Sequence, residues 1–171
     1  MTEQLVECFE FSKKAQKEID HWLLKYPPEQ KQSAVVAALF SAQDQNGGWL
    51  SEEAMNAVAE YLEMPPIAVV EVASFYDMFN LKPIGKHKIS VCTNVACMLR
   101  GSDEILHCLK KRLDIEPGET TEDGQFTLRE VECMAACVGA PMCQVDDKKY
   151  HENLTPEKML TIIDEIETNA K

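Results

Sequence analysis

The chain has 171 residues, long enough for a sizeable core, and 17 basic against 29 acidic residues give it a formal charge of −12. The acidic excess is shared by both halves, which excludes nucleic acid and anionic membrane surfaces as partners. The start carries Glu3, Glu7 and Glu10 in place of a basic signal-peptide head, and the longest apolar stretch, Ala34 to Phe40, is too short to span a bilayer, so a soluble, intracellular protein without direct membrane insertion is expected.

About ten opening residues show no clear pattern and are expected to fray. Phe11, Ala15, Ile19, Trp22, Leu23 and Tyr26 then recur at spacings of three and four, which predicts a helix ended by Pro27-Pro28. A second helix carries Val35, Val36, Leu39, Phe40 and Gln43, followed by Asn46-Gly47-Gly48, residues that tolerate a left-handed turn. Ser51 caps a third, with Glu52 and Glu53 in its first turn and Met55, Val58, Ala59 and Leu62 inward. Pro65-Pro66 starts a fourth with Ile67, Val69, Val70 and Ala73. These four helices predict a small bundle over residues 1–82 whose functional reading is a docking annex.

Lys82-Pro83-Ile84-Gly85 reads as a junction, and residues 83–171 follow another period. Ile89 and Val91 alternate with polar residues in a strand ending at Cys92. Gly101-Ser102-Asp103 starts a helix with Ile105, Leu106, Leu109 and Leu113 inward. Phe126 to Glu132 forms a second strand, ending at Cys133 as the first ended at Cys92, so that both cysteines emerge at one end of a sheet. Met142 to Val145 and Lys148 to His151, joined by Asp146-Asp147, read as a hairpin, and Thr155-Pro156 opens a last helix. The class expected is α+β: a small helical bundle, then a thioredoxin-like α/β domain with a four-stranded sheet and flanking helices.

The chemistry is concentrated in two cysteine pairs, Cys92-Thr-Asn-Val-Ala-Cys97 and Cys133-Met-Ala-Ala-Cys137. Seven cysteines, an odd number, without a secretion signal argue for thiols and metal binding over a disulfide framework. Structural zinc favours tighter spacings, and a [4Fe-4S] cluster draws three ligands from one compact run; two separate pairs match the two irons of a [2Fe-2S] cluster directly. Zinc is the second reading. A disulfide oxidoreductase is the third, and neither pair has the Cys-x-x-Cys spacing it needs. Cys8, Cys108 and Cys143 read as structural thiols and His107 as an exposed helix position.

Asp123-x-x-Phe126-Thr127 followed by Cys133-x-x-x-Cys137-x-x-Ala140-Pro141 resembles the signature of the thioredoxin-like [2Fe-2S] subunit of NADH:quinone oxidoreductase, the E-type subunit of bacterial complex I. Phe75-Tyr76, Pro83-x-Gly85-x-His87 and Gly101 after the first pair extend the resemblance over nearly the whole chain, while Ala135 stands where many relatives have glycine. The resemblance implies that Cys92, Cys97, Cys133 and Cys137 bind one [2Fe-2S] cluster, with no catalytic residue in this chain. It further implies an electron-carrying role beside a flavin (FMN) subunit that binds and oxidises NADH, with a large iron–sulfur subunit as a further neighbour, in the cytoplasmic peripheral arm of a membrane-associated complex. Soluble NAD-linked hydrogenases and formate dehydrogenases contain similar subunits. Physical chemistry adds that four thiolates on two ferric irons and two sulfides carry a net charge of about −2, so an acidic setting that includes Glu130 and Glu132 disfavours reduction. No two glycines are separated by a single residue, so the Gly-x-Gly-x-x-Gly turn is absent and the chain alone is not expected to oxidise NADH.

Overall fold

A computed structural model describes residues 9–169 and divides the chain into two units, Met1–Pro83 and Ile84–Lys171. In the first, helix α1 (Lys13–Leu23) starts where the Ser12 hydroxyl accepts the Ala15 N–H, and it buries Ala15 and Ile19. Trp22, which shares its spacing with the buried stripe, is 36% exposed and lies under the Lys25 ammonium, a contact that a cation makes favourably with an indole face. After Pro27 the chain makes a 3-10 turn, Pro28–Ala34, that runs into α2 (Val35–Gln45). No apolar period announces this turn. Val35, Ala38, Leu39 and Ala42 form the buried face of α2, so Phe40 falls beside it, 40% exposed. Gln43 is buried because its amide is fully used: its NH2 donates to the Met78 carbonyl at 3.1 Å and its oxygen accepts the Asn80 N–H at 2.8 Å.

Helix α3 (Glu52–Leu62) is capped by the Ser51 hydroxyl, as expected, and ends at Glu63 in a left-handed conformation. Helix α4 (Pro66–Phe75) buries Val69 and Ala73. Ile67 of the same helix is 65% exposed, because it lies two positions from Val69 and residues two apart on a helix do not share a face. Ile19, Leu39, Leu50, Val58, Leu62, Val69 and Phe79 belong to one core, and Phe9 and Phe11 pack against it. The Phe11 ring meets both Phe9 and Tyr61 edge-on. Fraying therefore does not describe Phe9, and residues 1–8, with Cys8, lie outside the described region.

The second unit is built on a four-stranded sheet in the order β2-β1-β3-β4. Strands β1 (His87–Cys92) and β2 (Phe126–Val131) are parallel, in register from His87↔Phe126 to Cys92↔Val131. They are connected through α5 (Val95–Met98) and α6 (Ser102–Leu113). Strand β3 (Cys143–Val145) runs antiparallel to β1, and β4 (Lys149–His151) antiparallel to β3. Helix α7 (Pro156–Asn169) closes the chain. Ile105 and Leu109 of α6 and Met159 and Ile163 of α7 share a core with Ile89, Val91 and Leu128 of the sheet. This is the expected α+β arrangement of a helical bundle followed by a four-stranded sheet with flanking helices.

The hairpin loop is one residue longer than expected, since Val145 already pairs with Lys149. Its first two residues, Asp146 and Asp147, are left-handed, a conformation aspartate tolerates better than most side chains. Both carboxylates are engaged: Asp146 accepts the Lys88 N–H and bonds His87 Nδ1 at 2.9 Å, and Asp147 pairs with Lys88 Nζ at 2.7 Å. The otherwise costly burial of Lys88 is thereby compensated.

Gly85 sits where the chain enters β1. A Cβ there would lie 2.8 Å from the Phe126 carbonyl carbon, while the Gly85 N–H donates to Thr127 Oγ1 at 2.6 Å. The obstruction is backbone of a sheet strand, which cannot step aside. Gly85→Ala is expected to destabilise the protein by about 1–3 kcal/mol, read as a lower urea midpoint; an unchanged midpoint would show that the strand yields.

Candidate metal centre

Parallel pairing places the ends of β1 and β2 side by side, with Cys92 opposite Val131. The Thr93 N–H continues the ladder to the Val131 carbonyl at 3.2 Å, and the Cys92 N–H donates to the Met142 carbonyl at 3.2 Å. Three strands of backbone thus hold Cys92. Asn94 next caps α5, its side-chain oxygen accepting the Val95 N–H at 2.7 Å, and this short helix turns Cys97 inward. The second loop leaves β2 through Glu132, Cys133 and Met134, passes Ala135 at φ 57°, and makes a 3-10 turn from Cys137 to Gly139. It is fastened from below, where the Asn153 N–H donates to the Gly139 carbonyl and the Leu154 N–H to the Pro141 carbonyl. Arg100 joins the two loops, donating from Nη1 to the carbonyls of Ala140 and Val138 at 3.1 and 3.4 Å.

Cys92 and Cys97 are buried, whereas Cys133 and Cys137 are exposed. Cys92 and Cys97 cluster with Ala140 and Met142, and Ala96, Met134 and Ala136 pack around them. Burial raises the pKa of the Cys97 thiol, and its hydrogen bond with Cys92 acts in the same direction. The backbone bond from Met142 opposes this, and the neighbouring Cys92 and Cys137 sulfurs add to the rise. Cys92 Sγ also approaches the Glu132 carbonyl at 3.8 Å, and Cys133 Sγ accepts the Ala135 N–H at 3.3 Å. Among the described residues no three His, Cys, Asp or Glu side chains close on a single ion; the thiols form a looser group in which Cys97 interacts with both Cys92 and Cys137.

The other cysteines stand apart from this group. Cys143 is buried in β3 against Met159, and burial pushes its thiol up to about 12. Cys108 is half-buried on α6, its sulfur facing the Pro156 carbonyl at 3.9 Å. His107 is exposed on the same helix.

Sequence reasoning misses the residues that hold the loops. Asn94 carries a usable signal, a cap-forming side chain just before Val-Ala-Cys-Met, but a helix of four residues is too short for periodicity. Arg100, and Tyr150, whose hydroxyl donates to the Met134 carbonyl at 3.1 Å, have none: both bond to backbone far away in sequence.

The donor set fits an iron–sulfur group. Crowded thiols that oppose one another's ionisation are what a multivalent cation stabilises as thiolates; a backbone N–H already points at one sulfur, and apolar side chains cover the buried pair. Among the described residues no helix is long and apolar enough to cross a membrane.

Known proteins similar to this chain cover nearly all of it. The E-type subunit of NADH-quinone oxidoreductase from Rickettsia bellii (strain RML369-C) is 51% identical over 158 residues, covering 92% of this chain and 94% of its own length. The mitochondrial NADH dehydrogenase [ubiquinone] flavoprotein 2 of Dictyostelium discoideum is 45% identical over 161 residues, 94% of this chain and 65% of that protein. In fold, 78% of the chain superimposes on an NAD+-reducing [NiFe]-hydrogenase in the air-oxidized state, with a TM-score of 0.67 at 21% identity; the match spans 23% of the hydrogenase chain. The family described as thioredoxin-like [2Fe-2S] ferredoxin matches residues 19–167, and the chain belongs to that family.

Proposed function

We propose that Cys92, Cys97, Cys133 and Cys137 hold one [2Fe-2S] cluster and that the chain transfers single electrons as a subunit of an NADH:quinone oxidoreductase. The observation that carries the site is the delivery of both cysteine pairs to one end of the sheet by parallel strands. When bound, such a cluster accepts and releases one electron at a time. The residues of the chain supply the rest. Ala140 and Met142 keep water from the buried sulfurs, while exposed Cys133 and Cys137 leave the other side close to the surface, where electrons enter and leave.

Around that surface lie Val95, Met98 and Leu99 of the first loop and Val138 of the second, all exposed and Val138 almost wholly so. Such apolar side chains flanking a redox site suit a protein partner. The partner we assign is a flavin (FMN) subunit that binds and oxidises NADH, with a large iron–sulfur subunit of the same complex as a further neighbour; a flavin is required between nicotinamide and this chain because hydride carries two electrons. The carboxylates of Glu130 and Glu132, on the strand and loop leading to Cys133, oppose added negative charge, which suits a strongly reducing donor. The chain is assigned to the cytoplasmic peripheral arm of the complex. The fold shared with an NAD+-reducing hydrogenase favours, as a second reading, the equivalent subunit of a soluble NAD-linked hydrogenase.

Alanine at any of Cys92, Cys97, Cys133 or Cys137 is expected to abolish or strongly reduce the visible absorbance of the purified protein, whereas Cys108→Ala and Cys143→Ala retain it. Full absorbance in Cys133→Ala, or its loss in Cys143→Ala with the fold intact, would change the ligand set.

We also assign the first unit a docking role separate from cluster binding. A chain beginning at Ile84, the start of the second unit, is expected to take up iron yet co-purify poorly with the flavin subunit. Undiminished co-purification would place the whole interface on the second unit.

A further inference from the structure

The second cysteine loop contains one peptide group used at both ends. Its carbonyl, of Met134, accepts the Tyr150 hydroxyl at 3.1 Å; its N–H, of Ala135, donates to Cys133 Sγ at 3.3 Å. A peptide group is planar, so fixing the oxygen fixes the direction of the N–H. Tyr150 comes from β4, which lies at the opposite edge of the sheet from β2, the strand that leads into this loop. It is therefore an independent anchor and not part of the local turn.

The orientation needs an anchor. Ala135 has φ 57°, a left-handed conformation in which its Cβ is strained. Rotating the Met134–Ala135 peptide would return φ to negative values and take the N–H away from the sulfur. Against this stands the Tyr150 hydroxyl, which would lose its acceptor. The same bond polarises the peptide, because a proton donated to its carbonyl makes the N–H a better donor at the other end.

We propose that Tyr150 is a positioning residue for the redox site: by holding the Met134–Ala135 peptide it keeps an N–H on the Cys133 sulfur, and it thereby raises the reduction potential above what the four thiolates alone would set. This rests on Cys133 being a cluster ligand. Hydrogen bonds to ligand sulfurs favour the more negative, reduced state, so the Tyr150 contact opposes the effect of Glu130 and Glu132. Ala135 supplies the strain that makes the hydroxyl necessary; glycine at that position would hold the same turn without it.

The test is a redox titration of the full-length, cluster-loaded chain. In Tyr150→Phe, which keeps the ring and removes the hydroxyl, the reduced-to-oxidised ratio at a fixed potential is expected to fall about tenfold, a shift of about 59 mV to more negative values for one electron. Pulsed electron paramagnetic resonance of the reduced protein in D2O is expected to lose one coupled exchangeable deuteron. Adding Ala135→Gly to Tyr150→Phe is expected to restore the deuteron coupling and most of the potential, since the strain driving rotation is gone while the polarising hydroxyl is still missing. An unchanged potential and deuteron signal in Tyr150→Phe would overturn the proposal even if thermal stability fell. Should Tyr150→Phe fail to retain its cluster, recovery in the double variant supports the proposal and failure to recover overturns it. Cluster loss in Cys133→Ala separates these outcomes from a failure of the ligand assignment, which would appear as retention in that variant.

Discussion

Everything at the candidate site depends on β1 and β2 being parallel. An antiparallel pair would send Cys92 and Cys133 to opposite ends of the sheet, and no rearrangement of loops of this length would bring their sulfurs together. Parallel pairing needs a long crossover, here the stretch through α5 and α6, and it gives Cys92 and Val131 the same height in the sheet. The apolar faces of α6 and α7 hold that crossover in place by burying Ile105, Leu109, Met159 and Ile163 against Ile89, Val91 and Leu128. The core of the second unit thus acts on the site indirectly, by setting where two strands stop.

Beyond the strand ends, hydrogen bonds take over from apolar packing. Asn94 turns the first loop into a short helix, Arg100 bonds the carbonyls of the second loop, and Tyr150 holds the peptide beside Cys133. Each is a side chain bonded to backbone, a suitable device where thiols must be positioned and there is little apolar mass to pack. The sulfurs themselves are asymmetric, two buried beneath Ala140 and Met142 and two exposed. That asymmetry shields one pair from water and leaves the other at the surface.

Much of this is legible in the sequence, for identifiable reasons. Strand β1, helices α3, α6 and α7, and the β3–β4 hairpin carry strong local signals: alternation in Ile89 and Val91, a cap at Ser51, and turn-forming Asp146-Asp147. The spacing of the two cysteine pairs marks them as a candidate site, and the strands bring the start of each pair to one end of the sheet. What escapes is either too short for a period, as with α5 and the 3-10 turn after Pro27, or depends on distant partners. Nothing local marks Lys88 as a buried cation paired with Asp147, or Tyr150 as an anchor for Met134. Apolar residues at the margins of a stripe are exposed for separate reasons: Phe40 lies two positions from Ala38 and Ala42, and Ile67 two from Val69, off the buried face, whereas Trp22 lies at the end of its helix beneath the Lys25 ammonium.

The central claim is that the four cysteines of the two pairs form one binuclear centre. The most direct measurement is the ratio of iron and acid-labile sulfide to protein in the anaerobically purified, unaltered chain, taken together with the electron paramagnetic resonance spectrum after reduction. The account predicts two irons and two sulfides per chain, the composition of the family's cluster, with a single spin-½ signal that accounts for one electron. Stoichiometric zinc in a colourless protein without labile sulfide, or four irons per chain, would contradict it.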